Sequence, residues 1–146
     1  MNVLRLAVAA SVVALLSACA SGPKMADVQS SIPTLKQGQG RIYFYRSNSM
    51  VGAAMQPDVV LNGQVVGKSK PGGFFFVDQP PGAMQVSTST EVEKKLTFTL
   101  AAGEVRYVKT TIGMGLLVGR VYPELVDKPV GEKEIQEMSY IGQPLK

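Results

Sequence analysis

The chain has 146 residues, with 15 Lys and Arg against 11 Asp and Glu, a formal net charge of +4, one cysteine, and neither histidine nor tryptophan. Without histidine there is no Ser–His–Asp or Cys–His catalysis, no imidazole base and no histidine metal site. The basic residues are scattered among acids and no basic cluster carries interleaved aromatics, so no nucleic-acid partner is expected, and neither is a cofactor.

Arg5 is followed by an almost unbroken apolar run, residues 6–16, interrupted only by Ser11. That is the length of a secretory apolar segment and too short to span a bilayer. Small residues follow, and Leu16-Ser17-Ala18-Cys19 resembles the lipobox of bacterial lipoproteins. The resemblance implies a signal peptide over residues 1–18, cleavage before Cys19, and acylation of that residue. The membrane, reached through lipid on Cys19, is then the first expected partner. Two or more acyl chains anchor stably, where one binds reversibly. Cys19 is the only cysteine, so lipidation would consume the single thiol rather than leave a disulfide framework unpaired. Ala20, Ser21 and Gly22 follow it with no Asp beside the cysteine. By resemblance to lipoprotein sorting this favours the outer membrane, facing the periplasm.

Residues 19–39 are rich in Ser, Gly, Pro, Gln and Lys and read as a lipidated tether, whose twenty or so residues would reach roughly 25 Å if flexible. The alternative for part of it is a short helix before Pro33, with Met25, Val28 and Ile32 on one face. Residues 40–146 form the expected folded unit. Arg41 to Arg46 is dense in β-formers, with Ile42 and Phe44 on one face and Tyr43 and Tyr45 on the other. Asn62-Gly63 between two apolar runs predicts a hairpin with a type I′ turn. Phe74-Phe75-Phe76-Val77 reads as a strand buried on both faces. A turn at 78–82 precedes two alternating strands, the first with Met84, Val86, Thr88, Thr90 and Val92 on one face, the second with Leu96, Phe98 and Leu100. Val105 to Ile112 runs back, and Arg120-Val121-Tyr122 continues the sheet. Pro129 opens a helix with Val130, Glu134, Ile135 and Met138 on one face and acids in its first turn. The fold class expected is mainly β: a small antiparallel β-sandwich or open barrel with a short C-terminal helix.

The order Val60-Leu61-Asn62-Gly63-Gln64-Val65-Val66-Gly67, then Phe76-Val77-Asp78-Gln79-Pro80-Pro81-Gly82, then an alternating strand, resembles PEGA-type domains. It is most similar to Gram-negative lipoproteins with a PEGA-like domain of unknown function, over roughly residues 38–140. The matched residues are turns and core, so the resemblance implies a fold and no reaction.

Two segments stand out as partner surfaces. Arg41, Tyr43, Tyr45 and Arg46 offer guanidiniums and phenol rings, the residue types that dominate interface hot spots, with the two tyrosines expected partly exposed. Met114, Leu116, Leu117 and Val118 lie in the glycine-rich run 113–119 with little polar relief, and would form an apolar patch if the core does not take them. That run lacks the Lys-Ser/Thr of a phosphate loop. The acids Asp58, Asp78, Glu91, Glu93, Glu104, Glu124 and Asp127 sit beside turns or on polar strand faces, where capping or solvation is the simple role. The expected function is a non-enzymatic binding or scaffold module, with an envelope protein or glycan as partner. The alternative is a carboxylate- or Ser/Lys-based envelope hydrolase.

Overall fold

A computed structural model describes residues 19–146; residues 1–18, the expected signal peptide, lie outside the described residues. The described chain opens with a short helix, α1 (Met25–Val28), and a 3-10 turn (Gln29–Ser31). Strands follow: β1 (Gly40–Tyr45), β2 (Asp58–Leu61), β3 (Gln64–Lys68), β4 (Gly73–Gln79), β5 (Gly82–Ser89), β6 (Glu93–Leu100), β7 (Val105–Gly113) and β8 (Arg120–Val126). Helix α2 (Lys128–Ile135) and the short strand β9 (Ser139–Tyr140) complete it. The chain is mainly β, as the alternation predicts. Its strands form a five-stranded mixed sheet, β8-β7-β1-β4-β9, and a four-stranded antiparallel sheet, β3-β2-β5-β6.

Local chemistry fixes several elements. Asn62 and Gly63 hold φ of 48° and 82°, the two positive values a type I′ turn requires, and β2 and β3 pair across them. Strand β4 is buried from both sides at Phe74 and Phe75, as its continuous apolar run implies. The sheets pack through Ile42, Phe44, Val59, Leu61, Phe75, Met84, Val86, Leu100 and Val108. A Thr88 hydroxyl donating to the Val121 carbonyl at 2.7 Å ties β5 to β8.

A second apolar cluster lies on the other face of the five-stranded sheet. Tyr43, Tyr45, Phe74 and Tyr107 present their rings there, and Met25, Val28, Ile135 and Met138 cover them. The molecule is therefore three layers deep at this point: sheet, sheet, and a helical cover from both ends of the described chain.

The cover decides between the two readings of residues 19–39. The short helix with Met25 and Val28 buried is present, and Ile32 packs beside them. The segment is bonded to the body at several points. The Ala20 amide donates to the Pro71 carbonyl at 2.8 Å, the Tyr140 amide to Pro23 at 2.8 Å, and the Met25 amide to Met138 at 3.3 Å.

Helix α2 departs from its expected face. Its first turn holds no acid, and Val130 is exposed, while Gly131 and Ile135 are buried. A Cβ at Gly131 would collide with the Tyr107 ring, so glycine lets the helix lie directly on the sheet. Glu134 does face inward, as expected, where it accepts from the Tyr45 hydroxyl.

Because Met25 is core rather than tether, Met25→Ala should lower the unfolding free energy by about 2 kcal/mol. Thermal or denaturant unfolding measures this, and a loss below about 0.5 kcal/mol, the range of an exposed substitution, would show that the segment does not pack.

Candidate functional site: one rim of the sandwich

Strand directions bring distant loops to one end. β1 ends at Tyr45, opposite Phe74 near the start of β4. β7 runs parallel to β1 and ends at Gly113, opposite Arg120 at the start of β8. In the other sheet Asp58, Lys68, Ser89 and Glu93 mark the same end. The loops 46–57, 69–72, 90–92 and 114–119 therefore share one rim.

Residues of the first predicted surface are buried. Arg41, Tyr43, Tyr45 and Arg46 are 5, 6, 2 and 3% exposed. The expectation of an exposed Tyr/Arg face is corrected for two reasons. β1 is a central strand, paired to β4 and β7, and the helical cover buries its outer face. Tyr43 stacks on Tyr107 with centroids 5.2 Å apart. Tyr45 donates its hydroxyl to Glu134 at 2.5 Å, and Lys109 lies 3.0 Å from the same carboxylate. Burial and this carboxylate push the Tyr45 phenol well above its ordinary range, and the Tyr45 hydrogen bond holds Glu134 below its own. Arg41 forms a two-point pair with Asp78, at 2.6 and 2.8 Å, and also donates to the Pro33 carbonyl at 2.8 Å. A cleft of about 520 Å³ beside it, lined by Met25, Ile32, Tyr43, Tyr107 and Glu132, thus has its guanidinium already engaged.

Arg46 does a different job at the rim. Among the described residues its guanidinium pairs with no carboxylate; it donates to the carbonyls of Met55 at 2.5 Å, Gly52 at 2.8 Å and Ser69 at 3.3 Å. Burial lowers its pKa, yet arginine stays protonated. One buried cation thereby fixes the loop 46–57 against Ser69 at the start of the neighbouring loop.

The second predicted surface is where expected exposure meets observation. Met114, Leu116 and Leu117 are 93, 88 and 93% exposed, and Val118 is half exposed. The core takes none of them. Their backbone is held all the same: the Glu91 carboxylate accepts from the amides of Leu116 at 2.8 Å, Leu117 at 3.1 Å and Val118 at 3.5 Å, and from Arg120 Nε at 3.0 Å. A side chain at Gly115 would collide with the Val118 carbonyl and with Glu91 itself. Three rim residues were not singled out in the sequence. Met50 and Val51 sit in the loop after β1, and Val92, expected in a strand face, lies beyond the end of β5. Their signal was apolar side chains inside turn-forming segments. Glu91, expected on the polar face of that strand, lies in the loop after β5 and caps the backbone of the 114–119 loop.

The amides of Leu117 and Leu116, then Arg120, hold the Glu91 carboxyl down at about 2, from an ordinary 4.5. A depressed folded pKa gives stabilisation that is complete above 4.5 and disappears as pH falls toward 2. The Leu116 and Leu117 amide chemical shifts should therefore titrate with a midpoint near 2, and Glu91→Gln should abolish the titration and speed exchange of both amides. A midpoint at 4.5 would mean that the clamp does not form.

No solved structure matches the chain. A protein from Haemophilus influenzae described as uncharacterized is 31% identical over 132 residues, covering 86% of this chain and 77% of that protein. The family described as protein of unknown function, DUF2846, matches residues 36–121, more than half of the sequence, which takes in β1 to the start of β8. The chain belongs to that family.

Proposed function

We propose that this chain is a lipid-anchored envelope protein, cut before Cys19 and acylated there, whose β domain is a non-enzymatic binding or scaffold module facing the periplasm from the outer membrane. The observation that carries the reading is the segment Leu16-Ser17-Ala18-Cys19 after an apolar run, with the only cysteine of the chain at the acceptor position. Cys19 is partly exposed and stands one residue before the first hydrogen bond to the folded body. Lipoprotein-type sorting without an Asp beside the cysteine favours the outer membrane. The Asn62-Gly63 hairpin and the Pro80-Pro81-Gly82 turn support a PEGA-like domain. A binding role is supported by the rim, where well-held backbone presents bare apolar side chains to solvent.

Cys19→Ser tests the anchor. The variant should accumulate as an uncleaved precursor without lipid, seen as altered mobility and a missing acyl mass. Normal maturation and continued fractionation with the outer membrane would overturn the reading.

A further inference from the structure

Among the described residues nine large apolar side chains are exposed: Met50, Val51, Val65, Val92, Met114, Leu116, Leu117, Val118 and Val130. Seven of them belong to the loops of the rim. The exceptions are Val65, beside the turn at the opposite end, and Val130 on the outside of α2. Isolated exposed apolar residues are ordinary, but a group of this size on one end marks an interaction surface.

Contacts join the loops into one surface. A Cβ at Gly52 would meet Ile112 of β7, and one at Gly119 would meet the Met55 side chain, so the loops 46–57 and 114–119 lie against each other. Glu91 binds the second of these to the loop 90–92.

The same rim carries the anchor position. Ala20 is bonded to Pro71 and touches Gly73 where β4 begins. From there to the 114–119 loop is the width of the sheet between β4 and β7 or β8, two to three strand spacings, on the order of 10–15 Å. Cys19 and the apolar loops thus face the same way from one end of a rigid sandwich.

Charge adds to this. The rim holds Lys68, Lys70, Lys94, Lys95 and Arg120 against Asp58, Glu91 and Glu93. Lys68, Lys95 and Arg120 are paired with those three acids, Lys94 lies over the Tyr122 ring, and Lys70 has no ion pair among the described residues. The surplus is positive, which suits anionic headgroups. Apolar side chains flanked by cations are the pattern of a surface that lies in a bilayer interface.

We infer that this rim is a membrane-docking face: Met50, Val51, Met114, Leu116 and Leu117 insert into the headgroup region of an anionic phospholipid leaflet, beside the lipid carried by Cys19. The inference rests on the anchored reading for its orientation, but not for its test. A bilayer is favoured over a protein partner because the chain's own attachment point faces the same way. The insertion is shallow, since Glu91 and Arg46 hold the backbone of these loops in place.

The chain has no tryptophan, so a single introduced indole is a clean probe. Leu117→Trp places it on the rim and Val65→Trp at the far end, both at exposed positions. The full protein, purified from membranes and with its acyl content read by mass, is mixed with phosphatidylglycerol/phosphatidylethanolamine vesicles containing brominated phospholipid. The expected result is a blue-shifted emission from the rim indole, quenched several-fold more than the indole at the far end. Met50→Ser with Leu116→Ser in the Leu117→Trp background should remove most of that difference. Equal quenching of the two probes, or none of either, would overturn the docking face. So would a blue shift without quenching that grows with protein concentration, which would assign the rim to a second copy of the chain. The acyl mass reports on the anchor separately. If lipid is absent, selective quenching of the rim indole on added vesicles still supports docking, and its absence still overturns it.

Discussion

The five-stranded sheet carries large apolar side chains on both of its faces. Its inner side packs on the second sheet, and its outer side presents Tyr43, Tyr45, Phe74 and Tyr107. Aromatic side chains each bury on the order of 150–250 Å², so an uncovered outer side would forfeit several kcal/mol. The fold meets this demand with whatever the chain has left at its two ends. Residues 25–32 come from one side and α2 with Met138 from the other. This covering layer decides the rest. It removes Tyr43, Tyr45 and Arg41 from the surface, and it draws the chain from Ala20 onward against the domain, where a free linker would otherwise run.

The rim owes its shape to two charged groups used against backbone. Arg46 directs its donors at three carbonyls, and the Glu91 carboxylate accepts from three amides and Arg120. Such charge-assisted bonds are stronger than neutral ones. Loops fixed in this way can hold apolar side chains in solvent without collapsing on the core. They also lose little conformational freedom on meeting a partner surface, which lowers the cost of association.

Much of the architecture was legible because it depends on local signals. The Asn62-Gly63 turn, the doubly buried run in β4, the alternation of β6 and the continuation at Arg120 are each fixed within a few residues. The burial of Tyr43 and Tyr45 was not legible, because their cover lies some fifteen residues upstream and ninety downstream, in segments of unremarkable composition. The face of α2 was hidden for a related reason. Packing on Tyr107 selects Gly131, and apolar periodicity gives glycine no weight. The apolar run 114–118 was visible as an oddity in the sequence. Its union with Met50, Val51 and Val92 was not, since it depends on the parallel pairing of β1 with β7 across sixty residues.

A domain that sits on the bilayer by its rim differs measurably from one that hangs from a linker. Neutron reflectometry on the lipidated protein in a supported phospholipid bilayer tells the two apart directly. Protein density should rise from the headgroup layer without an intervening water layer. A hydrated gap approaching the roughly 25 Å that a free twenty-residue chain would reach would contradict docking by the rim.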